Sequence, residues 1–173
     1  MNSYQKIRQE FSIPRHEYFN FATDIIDKWA SECPEKLAML WVDDNGSERE
    51  ISFSQMSDAS KRAANCLADA GIKRGDTVIL MLGRQVAWWE IMTACLRMGV
   101  IVSPGTTQLS EKDIAYRANA TEASCIVTDI ENIEKIKNIR EHCSSVKAVF
   151  SVGGSYPSCA DYDALLDSAA TSF

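Results

Sequence analysis

The chain has 173 residues, 46% hydrophobic and 24% charged, enough for one sizeable core and the balance of an ordinary globular domain rather than a disordered chain. Its formal net charge is −6 and its lysines and arginines are scattered, which excludes a nucleic-acid surface built on clustered positive charge. The acidic balance still permits small anionic ligands, because a few backbone N–H groups can hold a phosphate on an acidic protein.

Residues 1–19 are polar and aromatic with Pro14 in the middle, and read as an arm on the surface of an α/β unit formed by residues 20–173. Asn20 can cap a helix over 20–32 that puts Phe21, Ile25, Ile26 and Trp29 on one face, with Pro34 ending it. Residues 37–42 and 48–53 read as strands around Asp43, Asp44, Asn45 and Gly46, where Asn-Gly signals a tight hairpin. Ser54 is the expected cap of a helix that runs to Ala70 and stops at Gly71.

From there the pattern is regular. The continuous apolar run 77–82 predicts a strand covered on both faces. A helix over 85–98 closing at Gly99, a strand over 100–102 and a helix opened by the capping box Ser110 to Asp113 and reaching about Ala120 follow. Then come a strand over 124–128, a helix over 130–142, a strand over 146–151, a loose Gly153-Gly154-Ser155 stretch and a last helix over 161–170. Strands alternating with helices imply right-handed crossovers and a mainly parallel sheet flanked by helices, with the early hairpin as an antiparallel appendage or edge.

None of the six cysteines forms a C-x-x-C pair and most sit in apolar stretches, so they read as reduced, buried thiols of a cytoplasmic protein. Met1 to Glu10 has no apolar core of signal-peptide length, and no stretch is long and apolar enough to span a bilayer.

Ligands on open parallel sheets bind beyond the C-terminal strand ends. Two loops stand there. Gly83-Arg84-Gln85 has one glycine where a dinucleotide fingerprint needs three, which favours a plain turn with Arg84 in solvent. Trp88 and Trp89 follow and cannot both face inward, so one is core and the other covers a neighbouring segment. Ser103-Pro104-Gly105-Thr106-Thr107-Gln108 lacks the Gly-Lys-Ser/Thr ending of a Walker loop, and reads equally as a structural turn or a ligand wall. His16 and His142 have no metal-ligand spacing, Asp43-Asp44 is turn chemistry, and Glu131, Glu134, Lys135 and Lys137 read as a solvated helix face. No Gly-x-Ser-x-Gly elbow is present, and no catalytic set emerges.

Phe19-Asn20-Phe21-Ala22, Asp27-Lys28-Trp29-Ala30, Ser52-Phe53-Ser54-Gln55-Met56-Ser57, Ala63-Ala64-Asn65 and Arg74-Gly75-Asp76 resemble, in that order, the opening of medium-chain acyl-CoA synthetases of the AMP-forming adenylating superfamily. The resemblance is strongest at Gly83-Arg84, Trp88-Trp89, Cys95-Leu96-Arg97, Gly99, Pro104-Gly105-Thr106-Thr107-Gln108, Asp113-Ile114 and Tyr116-Arg117, and covers about residues 16 to 170. It implies the N-terminal subdomain of an enzyme that joins a small carboxylic acid to coenzyme A with ATP and Mg²⁺. The Gly-rich phosphate loop, the magnesium-associated glutamate and the C-terminal lysine of such enzymes are absent, so the chain is expected to be a front fragment, inactive alone and completed by the remainder of its polypeptide. The resemblance further implies CoA-side contacts at Gly105 and Thr106, with Lys135 and Lys137 aligning less well. The acid itself stays open, since its pocket is expected in later segments. A stand-alone CoA- or nucleotide-binding module and a scaffold domain are the alternatives; binding of CoA separates these two, and an uncovered face is expected to make a fragment self-associate.

Overall fold

The computed structural model describes residues 3–13 and 15–173; Met1, Asn2 and Pro14 of the expected arm lie outside the described residues. Within the arm stands a helix that the periodicity reading did not pick out, α1 (Ser3–Glu10), and none of its residues is buried. Tyr4, Ile7 and Phe11 recur at helical spacing on it and just after it, yet all face solvent.

The helix expected over 20–32 begins at Asn20, whose Oδ1 accepts from the Ala22 N–H at 2.9 Å while its Nδ2 donates to the carbonyls of Leu96 and Arg97 at 2.9 and 3.1 Å. Its first part, Ala22–Asp27, is wound as a π-helix and passes into α2 (Lys28–Glu32). β1 (Leu37–Val42) and β2 (Glu48–Ser52) pair antiparallel as a separate two-stranded sheet. In its turn, Asp43 Oδ1 accepts from the N–H groups of Asn45 and Ser47 at 2.9 and 2.7 Å, and Gly46 takes φ +82°. That φ suits a residue with no Cβ. These bonds, Ser47's first, hold the Asp43 carboxyl below its ordinary range, so this aspartate is committed to the turn.

α3 (Phe53–Asp69) starts earlier than expected. Ser52, not Ser54, is its cap, with a reciprocal pair: the Gln55 N–H donates to Ser52 Oγ and Gln55 Oε1 accepts from the Ser52 N–H.

The main sheet holds β3 (Thr77–Met81), β4 (Ile101–Pro104), β5 (Cys125–Asp129), β6 (Ala148–Val152) and β7 (Ala160–Asp161) in the order β4-β3-β5-β6-β7, every neighbour parallel. β3, β5 and β6 are buried along their whole length, as strands covered on both faces are, and their mainly apolar runs take Thr77, Thr128, Asp129 and Ser151 inside with them. Successive side chains alternate faces. Val78, Leu80, Val127 and Phe150 pack under α3, α4 (Val86–Met98) and α7 (Tyr162–Ser168). Ile79, Met81, Ile126 and Val149 pack under α5 (Glu111–Ala120), the 3₁₀ turn Ile133–Ile136 and α6 (Ile139–His142).

Three expectations differ from this. The helix over 130–142 is broken, because Asp129 Oδ1 accepts from both the N–H and the Nδ2 of Asn132 at 2.9 and 2.7 Å and Asn138 sits at φ −105°, ψ 14°. Short amide side chains compete with helix in this way. β7 is a strand where the last helix was expected to begin, and Asp161 closes it and caps α7 by accepting from the Ala164 N–H at 3.1 Å. The Gly153-Gly154 stretch is tied rather than loose: Ser151 Oγ donates to the Gly154 carbonyl at 2.6 Å, and the Gly153 N–H donates to Asp163 Oδ2 at 2.7 Å. All six cysteines are free thiols; Cys33 is exposed, and burial pushes Cys95 up to about 12.

Candidate functional site

The strand order reverses direction at its centre. The connection leaving β3 runs to β4 on one side, while that leaving β5 runs to β6 on the other. Their loops therefore diverge and open a crevice at the C-terminal strand ends, where ligands of such sheets bind.

The loop after β3 is pinned to the hairpin, because Trp41 Nε1 donates to the Arg84 carbonyl at 2.5 Å. The Arg84 side chain is exposed, as expected, and makes no ion pair among the described residues. Trp88 and Trp89 meet edge to face with ring centroids 5.4 Å apart. Trp88 packs against the core and Trp89 is 36% exposed, the division of labour that their adjacency demands.

The loop after β4 closes on β3 through the Gly105 N–H, which donates to the Leu80 carbonyl at 2.9 Å. A Cβ at Gly105 would stand 3.1 Å from Leu109 Cδ1, so a larger residue there has to push the Leu109 side chain within the same loop aside. Thr106 is exposed, and its Oγ1 accepts from the Gln108 N–H at 3.3 Å. Gly83, Arg84, Trp88, Trp89, Thr106 and Thr107 line one cleft of about 430 Å³. The two loops that the sequence marks separately thus form opposite walls of a single recess.

Lys135 departs from the expected solvated face. Its Nζ donates to the Thr107 carbonyl at 2.5 Å and to Asn132 Oδ1 at 2.7 Å, while Lys137 stays outside in an ion pair with Glu134 at 3.2 Å. Sequence reading missed this contact because only the broken helix turns Lys135 toward the β4 loop.

A buried network behind the cleft also escaped it. Arg97 donates to both oxygens of Asp27 at 2.6 and 2.8 Å and to Ser60 Oγ at 2.9 Å, and Ser57 Oγ donates to Asp27 at 2.7 Å. Burial acts to raise the Asp27 carboxyl, but the bonds from Arg97 and Ser57 prevail and hold it below its ordinary range. The network fixes the C-terminal turn of α4 to α3 and the π-helical segment, so its role is to set the angle of α4. A second recess of about 400 Å³ between the hairpin and α7 is lined by Trp41, Arg49, Glu90 and Asp163 among others. Glu90 is buried there and accepts from the Tyr162 hydroxyl at 3.2 Å; burial raises its carboxyl, outweighing that bond.

His16 stacks on Phe19 with centroids 5.8 Å apart, and His142 is exposed at the end of α6. Among the described residues no group of three His, Cys, Asp or Glu side chains could hold a metal ion. No helix of the described residues is long and apolar enough to cross a membrane.

A family model described as AMP-binding enzyme matches residues 26–169. Human acyl-coenzyme A synthetase ACSM3, mitochondrial, is 38% identical over 151 residues, covering 84% of this chain and 26% of the relative. Mouse acyl-coenzyme A synthetase ACSM4, mitochondrial, is 40% identical over 146 residues, covering 81% of this chain and 25% of the relative. The chain therefore spans about a quarter of the length of these curated relatives, and the likeness is to their N-terminal part. Among solved structures, a Brucella canis acyl-CoA synthetase superposes with a TM-score of 0.84 at 24% identity over 100% of this chain and 33% of that one. The anthranilate CoA ligase AuaEII in complex with anthranoyl-AMP superposes at 0.78 with 19% identity over 92% and 30%; at such identities both likenesses speak for the fold alone. With the strand order, the family match and the curated relatives all in agreement, the chain belongs to the AMP-binding enzyme family.

Proposed function

We propose that this chain is the N-terminal framework of an ATP-dependent acid–CoA ligase, and that it builds the CoA side of that enzyme's site without supplying the catalytic groups. The observation that carries this reading is the family match over residues 26–169, joined by curated relatives whose printed names are acyl-coenzyme A synthetases.

In the reaction proposed for the whole polypeptide, a carboxylate oxygen attacks the α-phosphorus of ATP and pyrophosphate leaves. The sulfur of CoA then attacks the acyl carbonyl, and AMP leaves. Negative charge builds in both steps, so positioned donors and cations govern the rate. Gly105 and Thr106 are assigned to the CoA side: the Gly105 N–H ties the loop to the Leu80 carbonyl of β3, and the exposed Thr106 hydroxyl, whose oxygen accepts from the Gln108 N–H, keeps its own O–H to donate to a ligand. Arg84, across the cleft, offers a guanidinium without an ion-pair partner among the described residues to an anionic group. Mg²⁺ belongs to the ATP step, and the described residues hold no cluster of ligands for it, so no step through it is placed in this chain.

The experiment is direct. The polypeptide that continues through the phosphate loop is expected to form AMP and acyl-CoA from a carboxylic acid, ATP and CoA, while the pure 173-residue chain forms neither. Acid-dependent AMP release by the pure chain would sink the proposal. We place the enzyme in the cytoplasm, but its six free thiols fit any reducing compartment and the mammalian relatives carry mitochondrial names, so cell fractionation decides between the two. Self-association belongs to the same proposal. Tyr4, Ile7, Phe11 and Ile13 on the arm and Leu37, Leu40 and Val42 on β1 are exposed, and light scattering is expected to show mass rising with concentration.

A further inference from the structure

We propose that Lys135 is a positioning residue that holds the loop 105–108 in place as a wall of the cleft, an inference that rests on the reading of this loop as the CoA side. The argument follows the hydrogen bonds outward from the sheet. Asp129, the last residue of β5, is buried, and its Oδ1 accepts from the N–H and Nδ2 of Asn132 at 2.9 and 2.7 Å. That fixes the Asn132 amide with its Oδ1 turned toward the Lys135 ammonium at 2.7 Å. The ammonium then reaches the Thr107 carbonyl at 2.5 Å. A carboxylate, an amide and an ammonium in series polarise one another, so each bond strengthens the next.

The other end of the loop is tied to β3, where the Gly105 N–H donates to the Leu80 carbonyl at 2.9 Å. β3 and β5 are adjacent parallel strands and flank the point where the strand order reverses. The loop therefore hangs between two anchors on adjacent interior strands, and Thr106 and Thr107 lie between them on the cleft wall. Only the β3 anchor is made by the backbone; the β5 anchor is a side chain, and it depends on a charge.

The same geometry separates this role from two others. A lysine has three N–H donors, and two of Lys135's are committed to short contacts with protein oxygens, which suits a fixed strut better than a ligand-seeking arm. Lys135 is also only half-buried and anchors an exposed loop rather than the core, so its loss leaves the sheet intact.

Lys135→Met keeps the length of the side chain and removes its donors, Lys135→Arg keeps charge and donors, and Gly105→Val perturbs the loop directly. Amide hydrogen exchange on the 173-residue chain is expected to quicken about tenfold at residues 105–109 in Lys135→Met, with β3 and β5 amides unchanged and Lys135→Arg intermediate. In the acid-activating longer polypeptide, Lys135→Met is expected to raise KM for CoA about tenfold with kcat altered less than about twofold, and Lys135→Arg to recover part of the loss. Unchanged exchange at 105–109 overturns the anchor. Quickened exchange without a change in KM for CoA, while Gly105→Val does raise it, overturns the link from anchor to CoA. If neither Lys135→Met nor Gly105→Val moves KM for CoA, the CoA reading of the loop itself fails, whatever the exchange shows.

Discussion

Glu90, which is buried, and Asp27, which is half-buried, show how two carboxylates can pull stability in opposite directions with pH. Burial raises Glu90 above its ordinary 4.5 despite the Tyr162 hydroxyl and the nearby Arg49, with Asp163 adding to the rise. The folded chain therefore holds this proton more tightly than the unfolded chain, and the stability Glu90 lends falls as pH rises from 4.5 through its folded value. Asp27 is the reverse: held below its ordinary 3.8, it contributes stability above that value and loses it as pH falls through the folded one. Glu90→Gln keeps an acceptor for Tyr162 and removes the charge. Urea titrations are expected to show the variant about 1 kcal/mol more stable than the native chain at pH 8 and equal to it near pH 4. A pH-independent difference would mean that Glu90 is already ionised at no cost. Neither carboxylate was legible as a network member in the sequence. Asp27 and Arg97 stand 70 residues apart, Tyr162 and Glu90 72, and no local pattern joins such partners.

At the scale of elements, legibility followed the strength of the local signal. The apolar runs of β3 and β5, the Asn-Gly hairpin and the Ser110 capping box were all readable, because each is a pattern of a few consecutive residues with a direct physical cause. The helix expected over 130–142 failed because its apolar spacing is genuine, with Ile133, Ile136 and Ile139 all buried, while Asp129 and Asn132 spend their side chains on breaking it. The start of α3 was misplaced for a related reason: Ser52 and Ser54 both fit a cap, and only Ser52 has Gln55 three positions on. Ser52→Ala is expected to cost about 1 kcal/mol and Ser54→Ala to stay within about 0.5 kcal/mol, read from thermal or urea unfolding. Equal losses would return the cap to ambiguity and count against the observed register of the hairpin.

For the whole molecule, the sequence showed both loops of the cleft but not that they share one. Residues 83–84 and 106–107 become neighbours only because β4 and β3 lie side by side in parallel, which is a property of the sheet order. Gly105 and Thr106 lie in the loop after β4, at the C-terminal edge of the sheet, where the strand pattern puts that loop; Lys135 reads as surface in the sequence because its partner, Thr107, belongs to another loop. The match leaves about three quarters of the relatives' length outside this chain.

The solvent-facing helix α1 has one more consequence, a pattern of scission. Lys6 and Arg8 sit on α1, which has no buried residue, and Arg15 is exposed just after it, while the exposed loop cations Lys73, Arg74, Arg84 and Lys147 lie in short segments held at one or both ends by buried strands that must open before a protease can thread them. Brief trypsin treatment is thus expected to nibble the chain from the front, leaving a resistant species that begins at His16 and melts within about 2 °C of the parent. First cuts inside α4 or α5 would mean that the front segment shields itself against something, and that its apolar side has found a surface after all.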